Sequence, residues 1–120
     1  MSEPYQQTGK TTIALDVLLT IARLTTLSVK GVSRLSDSNQ SGVKNILKRG
    51  QTSQGVFIQV QDDIVYVDLY VILESETNIR EVSRNIQREV SRAISDMVGM
   101  QVGRINVHIE DIDYPSEPET

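Results

Sequence analysis

The sequence predicts an α+β fold, a two-layer α/β sandwich in which two helices pack on one face of a small, mostly antiparallel sheet, in the order helix, strand, hairpin, helix, strand. Three observations carry that reading. Apolar residues recur at helical spacing over 12–27 and again over 79–98. Residues 56–73 alternate apolar and polar with one break at Asp62-Asp63, the pattern of two strands and a tight turn. A further alternating run, Val102 to Ile112, follows the second helix.

The first helix is expected from Thr12 to Leu27, burying Ile13, Val17, Leu18, Ile21, Ala22 and Thr25. Thr11 or Thr12 would cap it, and Asp16 stands in the first turn, where the helix dipole favours a negative charge. Val29 to Leu35, β-branched in part and interrupted by Gly31, reads as a brief strand. Residues 36–55 are rich in Ser, Asn, Gln and Gly. Within them Val43, Ile46 and Leu47 suggest one short helix, Val43 to Arg49, stopped by Gly50.

In the hairpin, Val56, Ile58 and Val60 face one way on the first strand, and Val65, Val67, Leu69, Val71 and Leu73 on the second. Asn78 followed three residues later by Glu81 has the form of a capping box. The helix it opens buries Ile79, Val82, Ile86, Val90, Ala93, Ile94 and Met97 and ends at Gly99. The last strand turns Ile105, Val107 and Ile109 inward and Arg104, Asn106, His108 and Glu110 outward.

At 120 residues, 38% hydrophobic and 23% charged, the chain suits a single soluble domain. Residues 1–8 are expected to be a flexible lead and 114–120 an acidic disordered tail broken by Pro115 and Pro118. The formal net charge of −4 argues against general attraction to nucleic acid or anionic lipid, so any such binding needs a local basic patch. There is no cysteine, which removes disulfides, thiolate metal sites and a Cys nucleophile. The longest late apolar run, Val71 to Leu73, is far short of the ~20 residues that cross a bilayer. A cytoplasmic protein without direct membrane insertion is expected.

No residue is assigned to catalysis, cofactor binding or a metal. Gly9-Lys10-Thr11-Thr12 imitates the end of a phosphate loop, but Pro4 occupies the place of its first glycine. Asn39-Gln40-Ser41 is a glycosylation sequon without meaning in a cytoplasmic chain. His108 is the single histidine, and on an outward strand position it reads as a surface residue. Carboxylate spacings match neither calcium loops nor zinc motifs.

Two surfaces remain. Arg80, Arg84, Arg88 and Arg92 recur every four residues and form a stripe opposite the core, either solvated, with Glu81–Arg84 and Glu89–Arg92 pairs, or docking an acidic partner. The sheet face away from the helices carries Phe57 and Gln59, then Tyr66, Asp68 and Tyr70, then Arg104, Asn106 and His108. Protein contact or self-association suits an aromatic face of mixed charge. A single-stranded RNA reader that stacks bases on the rings is the alternative, opposed by the surrounding carboxylates and the lack of an RNP motif.

Gly31-Val32 after a helix, Gln54-Gly55-Val56 opening a strand, Val67-Asp68-Leu69-Tyr70-Val71 in the next, Ile86-Gln87-Arg88-Glu89-Val90 in the second helix, Gly99, and Val102-Gly103-Arg104-Ile105-Asn106-Val107 form an ordered set. In that order and spacing they resemble the alkaline shock protein family. Their order and spacing place a domain of that family over roughly residues 9–113. The resemblance implies a bacterial protein of envelope or alkaline stress response, without established enzyme activity, acting through protein–protein interaction or self-assembly at the cytoplasmic face of the envelope. Partners it implies are an integral membrane anchor or a paralogue, and a homo-oligomer is compatible with it.

Overall fold

The computed structural model describes residues 13–36 and 50–114, with backbone alone at 50–53. Its elements are α1 (Leu15–Leu27), β1 (Val32–Leu35), β2 (Gly50–Ser53), β3 (Val56–Gln61), β4 (Ile64–Glu74), α2 (Ile79–Val98) and β5 (Gln101–Asp113). The expected lead over 1–8, the Thr11 or Thr12 cap, the short helix over 43–49 and the tail beyond Tyr114 lie outside the described residues.

Among the described residues the architecture is α+β, two helices on one face of a five-stranded sheet. All pairings are antiparallel except β4 with β5, which run parallel and are joined by the α2 crossover. β4 is the hub. One edge pairs with β3 from Ile64 to Leu69 and then with β1 from Val71 to Leu73, and the other pairs with β5 along the whole strand. Val65, Val67, Leu69, Val71 and Leu73 are each 0% exposed, and full burial of such a side chain contributes about 1.5–3 kcal/mol. α1 packs on β1, β2, β3 and α2, whereas α2 lies over β5.

Where β1 gives way to β3, the backbone of Tyr70 serves both. Its N–H donates to Gly55 O and its carbonyl accepts from Ser36 N, each at 2.8 Å. Gly55 sits at φ +83°, and a Cβ there would lie 2.9 Å from both the Ser36 and the Tyr70 carbonyl oxygens. Gln54 and Gly55 both have positive φ, as do Asp62 and Asp63, which is the mark of the turns that match the twist of two-residue hairpins. The acidic turn at 62–63 therefore forms as expected.

α2 follows its sequence signals at both ends. Asn78 Oδ1 accepts from the Glu81 N–H at 3.0 Å, and Gly99 closes the helix in the left-handed region with its N–H on Ser95 O. Val82, Ile86, Val90 and Ile94 are buried. Ile79 and Met97, expected in the core, are 47% and 71% exposed and fall on the first and last turns of the helix.

Other elements depart from expectation. α1 begins at Leu15, after an Ala14 that supplies no side-chain cap. Its buried side is Leu18, Leu19, Ala22 and Thr26, so Ile13 and Val17 face outward. Apolar residues occur around most of this helix, and two stripes of the same period fit the sequence. The buried Thr26 hydroxyl is satisfied within the helix, by Ala22 O at 2.7 Å. β1 starts at Val32, because Gly31 takes φ +100° and turns the chain. Gly50, expected to stop a helix, opens β2, a polar strand held by its hairpin pairing with β3. β5 runs from Gln101 to Asp113, one residue beyond the expected strand at each end.

β5 has thirteen residues against eleven in β4, and its register slips between Val65/Val67 and between Val71/Ile72. Each slip is a bulge that absorbs one extra residue. They fall where the apolar spacing in β5 is three in place of two, Val102 to Ile105 and Ile109 to Ile112.

The two turn glycines separate steric from conformational cost. Gly55→Ala is expected to lower stability by about 2 kcal/mol or more, since the positive φ and the carbonyl contacts act together. Gly99→Ala has the same sign of φ but nothing within 4 Å of the added Cβ, and about 1 kcal/mol is expected. Urea unfolding midpoints of the two variants check this ordering, and equal losses would contradict it.

Candidate interaction surface

Parallel register sets Asp68 beside Asn106 and Tyr70 beside His108. Neighbours paired in this way stand on one face of a sheet, here the face away from the helices. Asp68 Oδ1 accepts from Asn106 Nδ2 at 3.0 Å and lies 3.0 Å from His108 Nε2. A carboxylate only accepts, so Nε2 carries the proton in this contact. The imidazole stacks on the Tyr70 ring with centroids 4.4 Å apart and planes 11° from parallel. Burial first, then the charges of Asp68 and Glu110, push the Tyr70 phenol above its ordinary range.

The same face is closed at one end by side chains that reach across β4. Ser33 Oγ donates to Asp113 Oδ2 at 2.6 Å, and Arg34 donates to both Asp113 oxygens at 3.0 and 3.1 Å. These bonds hold the Asp113 carboxyl below the usual carboxylate range. Ser36 Oγ donates to Glu110 Oε1 at 3.3 Å. The bridges tie β1 to β5 over the level of Ile72, which is 6% exposed. Sequence reasoning missed them, because the partners lie 74 to 80 residues apart in the chain and meet only through the sheet.

Of the residues expected on this face, the structure joins Asp68, Tyr70, Asn106 and His108 into one cluster. Tyr66 lies beside it over Gly103, where a Cβ would come within 2.7 Å of the Tyr66 ring. Phe57 departs from expectation. It is 6% exposed and presents no ring to solvent. Arg104 also leaves the cluster, since it stands at the first β5 bulge and lines a depression with Gln87, Ser91, Val102, Gly103 and Ile105 beside α2. Gln87 Nε2 donates to Ile105 O at 3.0 Å there and fastens the helix to the strand.

Arg80, Arg84, Arg88 and Arg92 are all exposed along α2, on the side turned away from the sheet. Arg88 donates to Asn85 Oδ1 at 2.7 Å, and Glu89 lies 3.6 Å from Arg88 and 3.9 Å from Arg92. The Glu89–Arg92 pair is thus present. No Glu81–Arg84 ion pair forms, and among the described residues Arg80 and Arg84 have no carboxylate partner. The arginine stripe and the sheet cluster lie on opposite sides of the molecule.

Chemically, the sheet cluster offers a stacked aromatic pair, an amide and a carboxylate already bound to one another. Among the described residues there is no group of three or more side chains able to hold a metal ion. Removing the Asp68 charge tests the electrostatics. In Asp68→Asn the Tyr70 pKa is expected to fall yet stay raised, because burial is the larger cause. The wild type should keep its full stability below the ordinary tyrosine value of 10.0 and lose the Tyr70 contribution as pH rises through the folded-state value. Titration of carbon-labelled tyrosines by NMR reads both effects, and an unmoved Tyr70 curve in the variant would rule out the Asp68 contribution.

Comparisons with known proteins agree with this architecture. A variant of MamM-CTD superposes with a TM-score of 0.51 at 10% identity, covering 83% of this chain and 100% of that one, a likeness of fold alone. Among the described residues no helix is long and apolar enough to cross a membrane. Uncharacterized protein Spy1535 of Streptococcus pyogenes serotype M6 is 30% identical over 112 residues, 92% of this chain and 84% of that protein. Uncharacterized protein YloU of Bacillus subtilis strain 168 is 24% identical over 106 residues, 87% and 88% of the two. The model of the alkaline shock protein 23 family, described by a cell envelope-related function, matches residues 3–114, and the chain belongs to that family.

Proposed function

We propose that the chain is a non-catalytic interaction protein of the envelope stress response, which works at the cytoplasmic side of the envelope and engages a protein partner through the open sheet face. The observation that carries this reading is the preassembled cluster of Asp68, Asn106, His108 and Tyr70. Its polar groups are held by one another before any partner arrives, so little ordering remains to be done on binding. The side chains are only partly shielded, with His108 43% and Asp68 27% exposed. A half-exposed aromatic among fixed polar groups is the composition of a protein contact.

The same geometry speaks against base stacking. Phe57 is buried, one side of Tyr70 is taken by His108, and Asp68, Glu110 and Asp113 make the surroundings repulsive to phosphate. The envelope-related family description supports the location, with an integral membrane anchor or a paralogue as the partner class.

Affinity capture from extract of the native host, followed by titration with the purified partner, tests the reading. Tyr66→Ala/Tyr70→Ala is expected to weaken the partner at least tenfold while leaving secondary structure intact. Retention of the same partner at unchanged affinity would remove the sheet face from consideration.

A further inference from the structure

The helix layer has an outward face of its own. With 100° between successive residues, Val17, Thr20, Leu24 and Leu27 project about opposite the buried residues of α1. Val17, Leu24 and Leu27 are 46%, 55% and 40% exposed, and Ile13, just before the helix, is 39% exposed. On α2 the same geometry turns Arg80, Arg84, Arg88 and Arg92 away from Val82, Ile86, Val90 and Ile94. Both helices lie on one side of the sheet and pack on each other. An apolar ridge and a row of four arginines therefore look out from the same side of the molecule, with Lys30 near the middle of α2, in a depression shared with Asn85, Arg88 and Glu89.

We propose that this helix face docks on an anionic lipid surface, the α1 ridge entering the boundary between headgroups and acyl chains while the arginines take the lipid phosphates. Three observations favour a membrane over a partner helix. The apolar residues crown one helix as a convex ridge, whereas a docked helix needs an apolar groove. The depression running beside the arginines is lined by Asn78, Arg80, Glu81, Arg84, Asn85 and Arg88, so it is polar and offers no such groove. Arg80 and Arg84 have no ion pair among the described residues and are open to phosphate. Glu76, Glu81, Asp96 and Asp16 are opposing charges on or beside this side among the described residues, and Glu89 tempers Arg88 and Arg92.

The net charge of −4 is no obstacle, because the attraction is local. Screening acts over about 8–10 Å at physiological salt, and the acidic groups Asp68, Glu110 and Asp113 stand on the far side of the sheet. Arginine stems lie along apolar surface while their heads reach phosphate, which suits a helix packed beside α1. The sheet cluster would then face away from the membrane, free for the protein partner proposed above.

Vesicle sedimentation of the full chain tests the docking. Wild type is expected to sediment with vesicles of phosphatidylglycerol and phosphatidylcholine, not with phosphatidylcholine alone, and to be released by added salt. Each basic residue near such a surface is worth about fivefold in binding, so Arg84→Glu/Arg88→Glu should lose well over tenfold. Leu24→Ser/Leu27→Ser should lose roughly tenfold from the apolar contribution. These side chains are exposed, and circular dichroism with unfolding midpoints confirms that the variants fold. Tyr66→Ala/Tyr70→Ala should sediment as wild type does, which separates this proposal from the sheet-face reading. Absence of wild-type binding to anionic vesicles, equal binding to neutral ones, or wild-type binding by the arginine variant would each overturn it. A protein partner lost on arginine reversal, with no vesicle binding, would assign the face to protein.

Discussion

Every strand except β2 is held directly by β4, and both of its hydrogen-bonding edges are in use from Ile64 to Glu74. The tightest point is Tyr70, whose backbone joins the end of β1 to the turn that opens β3. That junction leaves no room for a Cβ at Gly55. The side chain of the same residue lies on the opposite face in the stacked cluster with His108. Core, strand order and interaction surface are thus coupled through one stretch of chain, Asp68 to Val71. The surface cluster stands on a strand whose inward side chains are completely buried.

Much of this fold is legible in the sequence where the signals are local. The alternation in β3 and β4, the acidic turn, the Asn78 cap and the Gly99 stop each depend on a few neighbouring residues, and each forms. What escaped depends on distant partners. β2 is polar and exists because β3 pairs with it. The buried side of α1 is chosen by the sheet between two equally periodic stripes. Phe57 alternates outward in sequence and is nevertheless covered.

The site was half legible for the same reason. Alternation assigns Asp68, Tyr70, Asn106 and His108 to one face but not to neighbouring positions. Their contact needs the first β5 bulge. Continued without it from Val65 and Val102, the register would set Asp68 against Ile105, an outward residue against a core one. The sequence does carry the sign, since Val102 and Ile105 are three apart, as are Ile109 and Ile112, in a run that alternates between them.

The bulges bear on more than register. Among the described residues the outer edge of β5 pairs with no other strand, and such an edge is a template on which another chain can add. Only Ile105 to Ile109 runs regularly between the two irregular points. A second molecule approaching this border would match it over one short segment and then fall out of step. Two extra residues thereby act on this border as a built-in guard against sideways growth into fibrils.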